Sequence, residues 1–588
     1  MISNKKVEIN HENILQNSFS VVLACAVKGL YDAFLGTGAV TTNGFHYDFE
    51  SATPFQNSDL IKIQECVVQI IGRSLPFVVE EVSVEKCRDV FANEPYKMEF
   101  LKKIDGVNSI TLVHLGDFTD IVEGQLAANT SELNANEFKL LRSSGAYWMD
   151  DANNKMLQRI FGVSFSKDGE LEKYEAYTEE ISKRDHRVLG VQMDLFSFSE
   201  DIGLGLPLFH PKGAIIRYLM QSFSQKAHIL NDYQWLYTPH IGRSHLWETS
   251  GHLHFYKDAM YNPIDVDGEE YYLKPMSCPF HIMVYNETPK SYKQLPLRYA
   301  EYASVYRYEL SGALQGLTRV RGFTQDDAHT ICTEEQTYGE VVKALKFSLY
   351  ILKSFGLDDF KAYVATKPEK KFIGSDVEWN AAIVQLIDAV EECGLSYEMD
   401  EGGGAFYGPK IDLKINDVLG REWQCSTIQF DFNLPERFRM KYVGDDNLLH
   451  TPQMVHRALF GSIERFFALL VEHYAGDFPL WLSPVQATVI PVNNQTHMDY
   501  ARQVYSELKK RELRVELETS GNKLGTKLSY SQSEKIPYAF IIGQKEIENG
   551  TIAVRSKKDG DLGSMTIDEW FTLVKPQLEM GIPKYLDA

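Results

Sequence analysis

Residues 296–329 read PLRYAEYASVYRYELSGALQGLTRVRGFTQDDAH. Apolar and polar residues alternate on both flanks, the period of a half-buried strand. The pattern predicts two antiparallel strands joined by a loop at Ser311 to Gly316. Within it stand an Arg307-x-Glu309 pair and the run Arg319-Val320-Arg321-Gly322-Phe323. Guanidinium forks bind phosphate oxygens two at a time, and an aromatic face stacks on a base, so this spacing suits a nucleotide. Taken alone, the same residues also fit a surface hairpin with scattered salt bridges.

Around this stretch lies a chain of 588 residues, 44% hydrophobic and 24% charged, enough for roughly three to five domains with ample core. No apolar run reaches the ~18 residues of a membrane span. The opening MISNKKVEINHENILQ has no basic region followed by an apolar stretch, so no secretory signal is expected. Seven irregularly spaced cysteines argue for reduced thiols and a cytoplasmic location. A net charge of -21 excludes nucleic-acid binding through bulk charge, but not through a local basic surface. Lys509-Lys510-Arg511 and Arg555-Ser556-Lys557-Lys558 are candidates, and each also fits an ordinary solvated face.

Composition shifts divide the chain. Residues 1–168 read as an α+β domain with a helix over Ile14 to Phe34; residues 169–189, dense in Glu, Lys and Arg, read as an exposed linker helix. Residues 190–483 are strand-rich, with helices at Ala214 to Ala227 and His456 to Tyr474. In residues 484–588, strands at VQATVIPV, RVELET and YAFIIG alternate with a helix at Thr496 to Lys510. That alternation predicts a small α/β domain with a mainly parallel sheet. The expected fold is therefore α+β and multidomain.

The 296–329 stretch resembles motif 2 of class II aminoacyl-tRNA synthetases, and its continuation TQDDAH is similar to the threonyl-tRNA synthetase family. HRALFGSIERFF (456–467) resembles motif 3, and Gly213 to Pro239 resembles motif 1, the helix and strand of the family's homodimer interface. The resemblance runs over nearly the whole chain. It implies an N-terminal editing-like domain, a class II antiparallel-sheet catalytic domain and a C-terminal anticodon-binding domain; the family's ubiquitin-like N-terminal domain is not recognisable.

The same resemblance implies the activity: threonine activation with ATP and Mg2+, then transfer to tRNA(Thr). Joining a carboxylate to the α-phosphate requires two anions held in line, so arginines and metal ions carry the electrostatics. On the family pattern Arg307 takes the α-phosphate, Arg319 and Arg465 the terminal phosphates, Glu309 the adenine amino group and Phe323 the ring. Ser462 and Lys410 complete the ATP set. Asp327 holds the substrate ammonium, with Gln325, Tyr407, Gln424, Thr427 and Gln429 around it. Cys278 (KPMSCPFH), His329 and His456 match the family's Zn2+ ligands, although nothing in their spacing forms a local zinc motif. Three ligands leave a fourth tetrahedral position, which threonine fills in the family through its amino and hydroxyl groups. In the C-terminal domain, which resembles the family's anticodon-binding domain, Asn522, Glu546 and Arg555 are the candidates for anticodon contacts, and each also fits an ordinary solvated loop.

The pattern breaks in the N-terminal domain. The family hydrolyses seryl-tRNA with an H-x-x-x-H pair and a C-x-x-x-H pair. Here NSFSVVLACAVKGLY puts Val21 and Cys25 at the first pair, and TDIVEGQL puts Val122 and Leu126 at the second. The flanking NGFHYDFES and GAYWMDDANNKMLQRIFG remain recognisable. A domain that folds without editing is expected; His11, His46 and Cys25 are the residues left from which a replacement site could be built. Phe280 also stands where the family has a glycine, and Gln315 where it has a histidine. Two other functions fit parts of the pattern: an enzyme passing aminoacyl adenylates to another carrier, and a non-catalytic RNA-binding protein. The anticodon-like domain speaks against the first, and retention of the arginines and metal ligands against the second.

Overall fold

A computed structural model describes residues 11–41, 44–104, 109–151, 154–369 and 372–586. The first ten residues, on which the leader reading rests, and Asn43, Ala152 and Asn153 of the scaffold stretches lie outside that set. The chain divides into two compact units, Met1–Glu179 and Glu180–Ala588.

In the first unit a four-stranded antiparallel sheet runs in the order Ala33–Thr41, Gly44–Ser51, Met156–Ser164, Phe138–Tyr147. Helices His11–Leu30 and Asn57–Gly72 pack apolar faces together with it in one core. The predicted first helix overran: it stops at Leu30, and Phe34 belongs to the following strand. A second sheet joins Val78–Ser83, Ser109–Leu115 and Phe118–Ile121. Between the sheets' elements Lys97 Nζ meets Asp120 Oδ1 at 2.5 Å and Tyr47 Oη at 3.0 Å, all of them buried. The helix Glu170–Arg184 follows with no buried residue, and the border between units falls inside it. The single linker helix expected over 169–189 is thus two helices, because Asp185 caps a new one, His186–Gln192.

The second unit holds an eight-stranded sheet. Its order is Gln234–Trp235, Leu297–Tyr306, Gly322–Cys332, Gln453–Ala458, Glu422–Asp431, Lys410–Asn416, Phe360–Ala365, Tyr397–Asp400. The two predicted strands of the 296–329 stretch are its second and third members, antiparallel from Leu297↔Ile331 to Tyr306↔Gly322. Their connection is longer than predicted, residues 307–321, with a 3-10 turn at Ser311–Ala313. Helices Pro211–Leu230, Glu334–Ser354 and Ile463–His473 cover the sheet. The helix expected over His456 to Tyr474 is corrected: His456 and Arg457 are sheet residues, and the helix begins only at Ile463. Gly461 supplies a φ of +73°, and Ser462 caps the new helix by accepting from the Arg465 N–H at 3.1 Å.

Beyond it a five-stranded sheet runs Val515–Leu517, Ala487–Pro491, Tyr538–Ile542, Ile552–Ser556, Gly560–Met565. The first three strands are parallel, as expected; the last two form an antiparallel hairpin, so the sheet is mixed.

Candidate active site

Residues two apart on a strand share a face. On Gly322–Cys332 this puts Phe323, Gln325, Asp327 and His329 on one wall of a cavity of about 720 Å³. Pairing register carries the wall sideways. His329 lies opposite His456, His456 opposite Gln429, and Gln429 opposite Lys410. The next row is Asp327, Ala458, Thr427 and Asp412. Every residue singled out above for ATP, threonine or metal lines this cavity.

Cys278, His329 and His456 present one ligand atom each, all within 4.8 Å of one another, and all three are buried. Cys278 stands at the first turn of the helix Cys278–Asn286, where the helix dipole favours a thiolate. Burial, with Asp327 and Asp431 nearby, pushes its pKa well up, so a thiolate there needs a cation. His329 Nδ1 faces His281 Nδ1 at 2.8 Å, and His281 Nε2 lies 3.2 Å from Glu301 Oε2. A proton chain satisfies all of them: His329 Nδ1–H donates to His281, and His281 Nε2–H donates to Glu301. His329 Nε2 is then left with a free lone pair. His456 Nε2 donates to Asp431 Oδ2 at 2.7 Å, leaving Nδ1 free. A carboxylate behind His456, and one behind His329 relayed through His281, is the support expected of metal-binding histidines. Burial, with His281 and His456 adjacent, also drives the His329 pKa well below the ordinary value, favouring the neutral, ligating form. The donor set fits a metal ion with a position open to the cavity.

At the other end the charged groups are paired among themselves. Arg319 Nη2 lies 2.9 Å from Glu309 Oε2. The Arg307 guanidinium sits 5.1 Å from the Phe323 ring centre and 5.8 Å from that of Tyr256. Beside the metal group, Ser277 Oγ donates to Asp327 Oδ2 at 2.5 Å. Lys410 Nζ and Thr427 Oγ1 each donate to Asp412, at 2.6 Å. Gln429 Nε2 donates to the Gly408 carbonyl. Burial raises the Tyr407 pKa well above its ordinary value, and its ring lies 5.3 Å from that of His456.

Sequence reading missed the residues behind this wall. His281 is one helical turn past Cys278, and Asp431 lies two residues past Gln429; both spacings were visible in KPMSCPFH and QFDF. Asp326 alternates to the opposite face from Asp327 and accepts from the Leu459 and Phe460 N–H groups. Glu301 and Asp412 carried no signal short of the register itself. Phe280 packs against Trp247 in a small apolar cluster, its ring 5.4 Å from Lys274 Nζ.

The anticodon candidates are elsewhere, in the domain built on the five-stranded sheet. Asn522 follows the Val515–Leu517 strand and is exposed, and Glu546 opens the helix after Tyr538–Ile542. Glu546 accepts from Gly543 N–H and Ser564 Oγ–H. Arg555 is exposed mid-strand, opposite Ala539 and Asp561. The basic patches there are partly neutralised: Arg511 meets Asp568 and Lys557 meets Asp477. In the first unit Val21 and Val122 are buried in the apolar core, with Cys25 and Leu126 packed against it. Among the described residues no cluster of metal-binding side chains gathers His11, His46 and Cys25.

Comparison with known proteins agrees with this geometry. The class II core domain of the tRNA synthetases for G, H, P, S and T matches residues 261–474, and an anticodon-binding domain matches residues 486–577. Threonine–tRNA ligase of Borreliella afzelii is 45% identical over 571 residues, 96% of this chain and 98% of the relative. That of Aquifex aeolicus is 45% identical over 96% of this chain and 89% of its own length. The solved RNA-binding domain of threonyl-tRNA synthetase from Cryptosporidium parvum superposes with a TM-score of 0.65 at 37% identity. It covers 68% of this chain and all of its own. Near-full-length identity at this level, over both domains and with the cavity assembled, places the chain in the threonyl-tRNA synthetase family of class II aminoacyl-tRNA synthetases.

Proposed function

We propose that this protein is a threonine–tRNA ligase: it joins threonine to the α-phosphate of ATP, releases pyrophosphate, and transfers the threonyl group to tRNA(Thr). The observation that carries this reading is one cavity holding both a Cys278–His329–His456 donor group and the arginines Arg307, Arg319 and Arg465.

Arg307 neutralises the α-phosphate as the threonine carboxylate attacks, while Arg319 and Arg465 hold the departing pyrophosphate; Mg2+, brought in with ATP, would supply further positive charge to the phosphates. Phe323 and Glu309 hold the adenine by stacking and by accepting from its amino group. Asp327 binds the substrate ammonium, Gln325, Tyr407, Gln424, Thr427 and Gln429 shape the side-chain pocket, and Ser462 and Lys410 complete the ATP site. Cys278, His329 and His456 would hold Zn2+, which would supply a Lewis-acid position favouring a polar side-chain group. A purely apolar pocket separates threonine from isosteric valine only ~100-fold, so selection by a polar contact is what the chemistry calls for.

The first unit folds but does not hydrolyse seryl-tRNA by the family route, because Val21, Val122 and Leu126 can neither bind metal nor move protons. Domains at 1–168, 169–189, 190–483 and 484–588 carry editing-like, linker, catalytic and anticodon-binding roles, the last through Asn522, Glu546 and Arg555. The enzyme works as a cytoplasmic homodimer; exposed Ile215 and Tyr218 on the Pro211–Leu230 helix support that interface. No described helix is long and apolar enough to cross a membrane. The test is aminoacylation of tRNA(Thr) with threonine and with serine, followed by hydrolysis of each product. Threonylation, with seryl-tRNA left intact, is expected. Rapid seryl-tRNA deacylation that disappears on mutating the first unit overturns the editing claim, and failure to charge threonine overturns the whole reading.

A further inference from the structure

His186 lies far from the cavity wall in sequence, yet it touches the turn that aims a cavity arginine. It is buried at the start of the helix His186–Gln192. Its Nδ1 lies 2.6 Å from Glu472 Oε1, on the helix Ile463–His473. Its Nε2 accepts the Leu317 N–H at 3.0 Å, inside the loop between the two motif 2 strands. Burial alone would raise the Glu472 pKa, but hydrogen bonds from His186 and the charge of Arg421 hold it below its ordinary value. An ionised carboxylate only accepts, so Nδ1 carries the proton and Nε2 offers its lone pair to Leu317. A single neutral tautomer therefore satisfies both partners.

Three further observations show that the contact is built. Leu317 is fully buried in the core of the second unit, so its N–H has no water to turn to. Gly316 adopts φ +46°, and a Cβ there would stand 2.2 Å from His186 Nε2; only glycine admits the ring. Glu472 is itself held, its second oxygen accepting from Arg421 Nη2 at 2.6 Å while Arg421 Nε donates to Asp417. Asp185, His186 and Glu472 also lie close enough to look like a metal cluster. Both ring nitrogens are already engaged, and Asp185 is taken by Arg187, so no donor is left for an ion.

The Leu317 contact fixes a tight turn. Thr318 N–H and Arg319 N–H both donate to the Gln315 carbonyl, and Gln315 N–H donates back to that of Arg319. From this turn Arg319 projects into the cavity. We propose that His186 is a positioning residue for ATP: it locks the Gln315–Arg319 turn and so sets where Arg319 meets the phosphates. The helix His186–Gln192 thereby takes part in nucleotide binding without touching nucleotide. This rests on the reading of Arg319 as a phosphate ligand.

The test is threonine-dependent ATP–pyrophosphate exchange on the full chain, with amide exchange of the 310–320 peptide read in parallel. His186→Phe fills the space but accepts nothing. It is expected to raise KM for ATP by ~10-fold or more, the scale of one buried hydrogen bond lost, and to leave KM for threonine within ~2-fold. The turn peptide exchanges faster in that variant. His186→Gln, which returns an acceptor near the Nε2 position, recovers most of the ATP affinity. Equal rises in both KM values without rescue by Gln reduce His186 to a general structural role and overturn the proposal, as does unchanged exchange of the turn peptide in His186→Phe. Arg319→Ala separates the two claims: unchanged ATP affinity there removes Arg319 from the nucleotide site, whatever His186 does to the turn.

Discussion

Asp326 offers a quantitative test of how the sheet's hidden face supports the site. Its carboxylate is fully buried, with Oδ1 accepting from Leu459 N–H at 3.1 Å and Phe460 N–H at 3.0 Å, just before Gly461. Burial raises its pKa from 3.8 to about 7, against the lowering effect of Arg457 and the backbone donors. In the unfolded chain the group ionises at its ordinary value. Between the two values the folded chain keeps a proton that the unfolded chain has released, so stability falls as pH rises through this window and levels off above it. A difference of roughly three units, at about 1.4 kcal/mol each, sets a ceiling of about 4 kcal/mol. Asp326→Asn keeps an oxygen for both N–H groups and cannot ionise. We expect wild-type stability, relative to the variant, to decline between about pH 4 and 7 by ~3 kcal/mol, most of that ceiling. Urea unfolding of both chains across this range checks it, and reading only the difference cancels titrations elsewhere. A difference that stays flat with pH, or that grows in favour of the wild type, refutes the argument.

Three further outcomes follow from the packing. Cys278→Ser should lose bound zinc and threonine-dependent pyrophosphate exchange together, measured by metal analysis and exchange on one preparation; zinc lost with exchange intact contradicts the metal's role. Phe280→Ala should destabilise the second unit by ~3 kcal/mol, the usual cost of emptying an aromatic site, and a thermal shift reads it. A neutral result would mean that the Trp247 cluster closes over the gap. Lys97→Met leaves Asp120 buried without its partner at a cost of ~3–5 kcal/mol. Limited proteolysis should then cut the first unit, while pyrophosphate exchange survives.

Much of this was legible because strand periodicity is local. Phe323, Gln325, Asp327 and His329 alternate visibly in the sequence, and their common wall follows from the pleat alone. The motif 3 helix was misread because an apolar run around His456 fits a strand as well as a helix, and only Gly461 and Ser462 separate the two. The hairpin ending the last sheet was missed for a similar reason: strand direction depends on where chains meet, not on the residues within them. His281 and Asp431 were within reach of spacing rules. Glu301, Asp412 and the His186–Leu317 contact were not, since each depends on strand register or on partners 15 to 131 residues away, beyond the reach of local periodicity.

The row His329, His456, Gln429, Lys410 draws on four strands that leave the ribosome far apart in time. Until residue 456 has been synthesised and has taken its place between its two neighbours, the cleft lacks both a donor and a wall. The assembled cleft is thus a property of a chain that has grown past residue 458. A nascent or truncated product ending anywhere before that strand lacks one of the three buried donors, however well its earlier segments have folded.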